Sequence, residues 1–394
     1  MKSKTGGTGL RAIHRRLARG DARPGDAWLQ ALLAPPALLY GLGTAARNLA
    51  FDRGLLASRR CPVPAVGVGG VCAGGSGKTP IAADIARRLH GWGLRPLLVT
   101  RGYGAPRASG RATLVSAGDR PLLGWQEAGD EALLFARLAP GIPIATAVRR
   151  EEALVPARQA GLDPGVLVLD GVLQHRRLIA DFLVVSVDAS RRPGAGHLLP
   201  WGDRRESWRA LRRADLVVLY RIERCADPRA WEAFVAHHAP GVPIAHAANV
   251  WREPYRLADA EGNAHAVDSM AAEGSWEALS RARVGVWLSI ADPQPFLRQL
   301  AAHAVRPRRI ECARDHAPFG EREAQRLVGR AGELDAVVVS EKDAVKIGEA
   351  LKALPPVWVV PARIEWTQGE DALDAGLKAR LRARGTASKA VASR

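Results

Sequence analysis

Residues 69–80, "GGVCAGGSGKTP", link an apolar run to a run with helical spacing, and this junction constrains the fold more than any other feature. Pro64–Gly69 reads as a buried strand, and "TPIAADIARRLH" after the loop reads as a helix. Between them Gly74, Gly75 and Gly77 let the backbone turn tightly enough to aim several amides inward. An anion held there sits at a helix N-terminus, where unpaired N–H groups and the helix dipole favour it. Gly77, Lys78 and Thr79 fit the end of a G-x-x-x-x-G-K-[ST] phosphate loop, although Cys72 stands at its first glycine. A dinucleotide fingerprint starting at Gly67 fails, because it too needs glycine at Cys72 and leaves Gly-Lys-Thr unexplained. The expected nucleotide contacts are Ala73, Gly74, Gly75, Ser76, Gly77, Lys78 and Thr79, with Lys78 on the β- and γ-phosphates and Thr79 on magnesium. A guanine-reading N-K-x-D is missing; in "SEKDAVK" (340–346) Lys342 and Asp343 are adjacent, so ATP is expected over GTP.

Short apolar runs alternate with helical patterns from residue 63 onward. Pro96–Arg101, Pro143–Ala147, Val166–Asp170, Phe182–Asp188 and Ala214–Tyr220 read as strands, and helices begin at Lys78, Asp130 and Arg150. A second set follows at Val284–Ile290, Arg308–Cys312, Ala336–Ser340 and Val357–Val360, with a hinge expected over residues 241–280. The fold class predicted is α/β: a mostly parallel, phosphate-loop-type sheet with helices on both faces, a smaller second α/β lobe, and an N-terminal membrane-interface helix.

The net charge of +17 is concentrated at the ends: residues 1–20 and 378–394 each carry six Lys or Arg and no acid. Such tails suit an anionic membrane or nucleic acid equally, or are simply solvated. Ala27–Ala46, "AWLQALLAPPALLYGLGTAA", has no charge. It is read as a helix broken or kinked near Pro35 and Pro36, lying in a membrane interface with Trp28 and Tyr40 at headgroup depth. A signal segment, a spanning helix and a helix packed on its own domain are the other readings. Cys61, Cys72, Cys225 and Cys312 are far apart, which suggests a reducing compartment and neither a disulfide framework nor a zinc site.

Asp170 ends the apolar run "GVLVLD", placement that suits a magnesium-binding carboxylate. Gln174, His175, Arg176 and Arg177 follow it; Asp130 and Glu131 open a helix; His316 follows the Arg308–Cys312 strand. Read in order, "PVPAVGVGGVCAGGSGKTP", "VTRGYG", "AGDEALLFA", "LDGVLQHRRL", "DASRRPGAGHLLPWGDRRES", "DHAPF" and "SEKDAVK" resemble the tetraacyldisaccharide 4'-kinase (lipid A 4'-kinase) family from about residue 26 to 365. In that family a small Ser or Thr commonly stands where Cys72 does.

The resemblance implies transfer of the γ-phosphoryl of ATP, with Mg²⁺, to the 4'-hydroxyl of lipid A disaccharide 1-phosphate at the cytoplasmic face of the inner membrane. It implies Asp130 as the base with His316 as partner, Lys78 and Thr79 on phosphate and metal, and Glu131, Gln174, His175, Arg205 and Glu206 lining the cleft. The expected layout is a basic extension over 1–25, an apolar segment over 26–58, a kinase core over 59–245, a second lobe over 246–375 and a basic tail over 376–394. Asp130 and His316 would then lie on different lobes and meet on closure. A monomer that binds no nucleic acid is expected. The family usually has two consecutive aspartates and a glycine where this chain has Asp170-Gly171-Val172. The missing second acid leaves open a weakened or inactive ATP- and lipid-binding homologue.

Overall fold

The computed structural model describes residue 25 and residues 27–105, 110–257, 275–329 and 333–392. Apart from residue 25, the basic extension expected over 1–25 lies outside the described residues. In chain order the main elements begin with α1 (Ala27–Asp52), β1 (Ala65–Gly70), α2 (Lys78–Gly91), β2 (Pro96–Thr100), β3 (Thr113–Ser116), α3 (Asp130–Leu138) and β4 (Ile144–Thr146). Then come β5 (Val166–Asp170), β6 (Phe182–Asp188), β7 (Leu216–Tyr220), α4 (Pro228–His238), β8 (Ile244–Trp251) and β9 (Tyr255–Arg256). The chain continues through α5 (Ser275–Arg281), β10 (Val284–Leu288), α6 (Gln294–Ala302), β11 (Arg309–Cys312), α7 (Glu321–Val328) and β12 (Ala336–Ser340). It ends with α8 (Glu341–Ala344), β13 (Val357–Val360), β14 (Ala362–Gln368) and α9 (Glu370–Ala392). The fold is α/β with mostly parallel strands, as the alternation predicts.

Two compact units divide the chain, and each is discontinuous in sequence. The first is Met1–Ala82, Gly165–Asn249 and Glu365–Arg394. Its strands run in the order β8-β7-β6-β1-β5, all parallel. β1 is central and buried along its whole length, which its small and β-branched residues permit. Parallel strands covered on both faces read as continuous apolar runs, which is why β1, β5 and β7 are legible in the sequence. Trp208, Trp231 and Phe234 meet edge to face in the core of this unit, with ring centroids 5.3–5.9 Å apart. The C-terminal ends of β1, β5, β6 and β7 emerge along one edge, where open parallel sheets hold ligands.

The second unit is Ala83–Pro164 and Val250–Ile364. It contains β2-β4-β3, with β3 antiparallel, and a five-stranded sheet in the order β9-β13-β12-β10-β11. β9 is antiparallel to β13, and the other pairs are parallel. Trp287 and Phe319 pack with Val337 and Val339 on one side of that sheet, and Val286 packs with Val338, Phe296 and Leu300 in the other cluster.

Three differences from the predicted elements have plain causes. α1 runs unbroken through Pro35 and Pro36, because losing two N–H donors does not stop propagation in a stretch so rich in Leu and Ala. The expected hinge holds strand β8 over Ile244–Trp251, while residues 258–274 of it lie outside the described residues. β3 and β14 were not predicted; β3 is four residues long with polar Thr113 and Ser116 at its ends, and β14 carries polar residues along an incompletely buried strand.

α1 is tied to the first unit by polar contacts at its C-terminal half. The Tyr40 hydroxyl donates to the Arg205 carbonyl at 3.0 Å, and Arg47 donates to the Gln174 carbonyl at 2.8 Å. Asn48 donates to Glu206 Oε2 at 2.6 Å, and Arg176 reaches both the Asn48 carbonyl and Asp52. The guanidinium groups of Arg47 and Arg176 each lie 5.1 Å from the Phe51 ring centre. Leu29, Ala37 and Phe51 are buried, whereas Trp28, Leu32, Leu38, Leu39 and Leu42 are more than half exposed. Among the described residues, α1 is the one helix long and apolar enough to cross a membrane.

Candidate active site

The loop after β1 is held in shape from three directions within the first unit. The Ala73 amide donates to the Asp203 carbonyl at 2.7 Å, and the Arg205 amide donates to the Val71 carbonyl at 2.8 Å. Residues 203–205 thus pair with the entry to the loop, and Cys72 bridges Arg204 there. Ser186, on β6, donates its hydroxyl to the Ser76 carbonyl in a short hydrogen bond. Tyr220, at the end of β7, lies against Gly77: a Cβ at that glycine would stand 2.5 Å from the ring, and its φ is +75°. Only glycine meets both demands without strain. Lys78 donates to Ser76 Oγ at 3.0 Å, and Lys78 and Thr79 open α2 directly after the loop.

Cys72 is largely enclosed. Burial, reinforced by Asp203 and opposed by Arg191, Arg204 and Lys78, pushes its thiol up to about 12. The thiol therefore stays neutral near pH 7.

Asp170 closes β5 in register with Val68 of β1, and its carboxyl is buried. Gly171 follows with φ +70° and open space where a Cβ would be. Gln174 donates to the Gly70 carbonyl at 3.2 Å, placing its amide at the end of β1. His175 is partly buried in the turn after β5. Arg205 contributes backbone contacts to the loop and to α1. Glu206 is buried beneath α1, its Oε2 accepting from Asn48 and from Arg213 at 2.7 Å. Asp203 supplies its carbonyl to the loop, while its carboxylate accepts from Arg191 at 2.6 Å.

Within the second unit, Asp130 and His316 are in contact. His316 Nδ1 is 2.9 Å from both Asp130 oxygens. The chain returns to this unit after residue 250, so the two residues, expected on different lobes, share one compact unit. Asp130 opens α3 and is 2% exposed; Glu131 beside it is half-buried. His316 sits at φ +62°, a left-handed conformation that a non-glycine side chain adopts at a cost. Its amide donates to the Ser289 carbonyl at 3.3 Å, and Tyr103 packs edge-on with its ring at 6.0 Å. Lys342 stands 3.3 Å from His316 Nε2, 4.0 Å from Asp130 and 2.6 Å from Asp315.

Burial alone would raise the Asp130 carboxyl. The His316 hydrogen bond and the charges of Lys342, His316 and Lys346 override it and hold the group below its usual range. The hydrogen bond to Asp130 raises His316, against burial and Lys342. Both directions favour carboxylate and imidazolium as a pair, a unit that shares one proton on its way to or from a bound group.

The sequence pattern pointed to Asp130 and His316, but it missed Ser289, Lys342 and Lys346 around them. The two lysines lie four apart in "SEKDAVK", the helical spacing that faces both to one side, and that spacing was the available signal.

Comparison with known proteins shows the family. The family profile described as tetraacyldisaccharide-1-P 4'-kinase matches residues 29–382. A tetraacyldisaccharide 4'-kinase of Anaeromyxobacter sp. (strain Fw109-5) is 40% identical over 369 residues, covering 91% of this chain and 94% of that protein. One from Geobacter sulfurreducens is 36% identical over 345 residues, covering 87% and 92%. Aquifex aeolicus LpxK, solved in complex with ATP, shares the fold with a TM-score of 0.68 at 23% identity, over 90% of this chain and 99% of that one. With a profile match over most of its length and close relatives spanning nearly all of it, this chain belongs to the tetraacyldisaccharide-1-P 4'-kinase family.

Proposed function

We propose that the chain is an ATP-dependent kinase of lipid A biosynthesis that phosphorylates the 4'-hydroxyl of lipid A disaccharide 1-phosphate. The observation that carries this reading is the buried Asp130 carboxylate held at 2.9 Å by His316, in a chain that also has a fully formed Gly-Lys-Thr phosphate loop. In the proposed step the acceptor oxygen bonds to the γ-phosphorus of ATP as the bridging P–O bond breaks and ADP leaves. The hydroxyl proton passes to Asp130, and His316 orients the carboxylate and stabilises its charge. A base in this position contributes on the order of 10²–10⁴-fold. Lys78 and the loop amides bind and orient the phosphates.

Thr79 and Asp170 offer a hydroxyl and a carboxylate, oxygen donors of the kind Mg²⁺ takes beside phosphate oxygens and water. Among the described residues no group of three or more His, Cys, Asp or Glu gathers; Thr79 and Asp170 would be the residues to hold such an ion. When bound it neutralises developing charge on the phosphates. Gln174 and His175 belong to the same edge of the first unit and line the nucleotide side; Glu131 lines the acceptor side beside Asp130. Arg205 and Glu206 support the loop and α1.

The exposed leucines of α1, with Trp28, suit insertion into a membrane interface, and Arg47 and Arg176 at its other end suit anionic headgroups. We place the protein, as a monomer, at the cytoplasmic face of the inner membrane, where its acceptor resides. The test is purified protein with Mg-ATP and a disaccharide 1-phosphate in detergent micelles, read by mass spectrometry. One added phosphate, absent with Lys78→Ala and with Asp130→Asn, is expected. No product from folded, ATP-binding protein would favour the non-catalytic homologue.

A further inference from the structure

Lys346 is 1% exposed, and its partner Asp343 is fully buried, with 3.0 Å between ammonium and carboxylate. A buried ion pair is poor evidence of stabilisation, since apolar side chains of equal volume commonly do as well. Its surroundings suggest a different use. Asp343 is saturated: Oδ1 accepts from the Ser289 amide at 3.1 Å and hydroxyl at 2.7 Å, and Oδ2 accepts from Ser340 at 2.7 Å. Lys346 also donates to the Ser289 hydroxyl in a short bond, and its ammonium lies 5.4 Å from the centre of the Trp287 ring. From that fixed place it stands 3.7 Å from Asp130 Oδ2. Ser289 extends the support, because its carbonyl accepts the amide of His316 in the strained left-handed conformation.

We propose that Lys346, fixed by Asp343 and Ser289, is a positioning residue of the phosphoryl transfer, holding Asp130 ionised and ready for the acceptor proton. The proposal rests on the reading of Asp130 as the base. Other charges facing Asp130 are His316 and Lys342, and Lys342 also faces Asp315. Lys342 is partly exposed and shares its charge with Asp315, so water screens it more than it screens Lys346. Near Asp343, the Cys312 thiol is pushed up by burial and by that carboxylate, and stays neutral.

The test compares kcat/KM against pH for wild type, Lys346→Met/Asp343→Asn and Asp343→Asn, with His316 titrated by NMR in each full-length protein. The double variant removes both charges together. Asp130 then loses its nearest fixed cation, and the acid limb moves up by about one pH unit. That corresponds to about a tenfold loss at a pH below the limb and recovery above it. Asp343→Asn alone leaves Lys346 charged with Asp130 as its nearest anion, so the limb moves down. His316 midpoints move in the same two directions, and the KM for Mg-ATP stays unchanged. An unmoved acid limb and unmoved His316 midpoint in both variants would overturn the proposal and leave the pair a structural one. If only one variant folds, its shift in the stated direction supports the proposal and its absence refutes it. Asp130→Asn with full activity would sink the base assignment itself, which separates the two failures.

Discussion

A methyl group at position 77 tests whether the phosphate loop is as tightly walled as its contacts imply. In Gly77→Ala the new carbon would lie 2.5 Å from Cδ1 and Cγ of Tyr220, well inside the 3.5–4.0 Å at which carbons rest. Tyr220 cannot retreat: it is 4% exposed and its hydroxyl donates to Asn249 at 2.8 Å. Overpacking of this sort costs about 1–3 kcal/mol. The φ of +75° adds about 1–2 kcal/mol for an L-residue. If the strain falls on the binding-competent loop, the combined ~2–5 kcal/mol lowers nucleotide affinity by at least about thirtyfold. Titration with a fluorescent ATP analogue measures this, and thermal unfolding shows how much of the strain reaches global stability. Tyr220→Val removes the wall but leaves the dihedral. The double variant should therefore regain about 1–3 kcal/mol relative to additivity and retain the remainder. Strict additivity would refute the account, because it would mean the methyl never met the ring.

Other outcomes follow from single contacts. Gly171→Asp places a carboxylate where φ is +70° but nothing crowds the new Cβ; Asp tolerates that region better than most residues, so unfolding should change by no more than about 1–2 kcal/mol. The Mg²⁺ concentration giving half-maximal turnover should fall. Glu206→Ala strips Asn48 and Arg213 of their acceptor. Since Arg213 is partly exposed, the cost should be about 2–3 kcal/mol, below the usual range for a fully buried pair, and α1 should become the first site of limited proteolysis. With His316 raised from 6.5, its stabilisation is complete below about that pH and is lost as pH climbs through the raised folded value. Asp130, lowered from 3.8, contributes above that value and loses its contribution as pH falls through the depressed one. The gap in unfolding midpoint between wild type and Asp130→Asn should be widest between those limits and narrow at both extremes. Cys72, with its thiol at about 12, should escape alkylation by iodoacetamide at pH 8, as peptide mass spectrometry can show.

The parts of the fold legible in the sequence were those governed by local chemistry. β1, β5 and β7 are unbroken apolar runs because both faces are covered, and α2 starts at Lys78 because Gly74, Gly75 and Gly77 before it sit at positive φ. β8 was hidden by its half-buried end, where Asn249, Val250 and Trp251 mix polarity without a clean alternation. The site divides the same way. Lys78 and Thr79 sit among their sequence neighbours in the loop and stand out as a motif. Lys346 meets Asp343, Ser289 and Asp130, and only the last two lie far along the chain, on other elements. Nothing in a run of residues records that a lysine is enclosed. The partnership of Asp203 with the loop is a backbone contact, which any residue type could make, so the residue's identity carried no trace of it.

The separation of Asp130 and His316 by 186 residues bears on how the protein is born. A ribosome adding about 5–20 residues per second releases Asp130 some ten to forty seconds before His316. Throughout that interval the first segment of the second unit, Ala83–Pro164, has neither the imidazole nor the lysines that later surround its carboxylate. A nascent chain stalled before residue 316 carries a complete phosphate-loop sequence and no imidazole partner for Asp130. On the proposed roles of Asp130 and His316, competence for transfer is acquired only after residue 316 has been made.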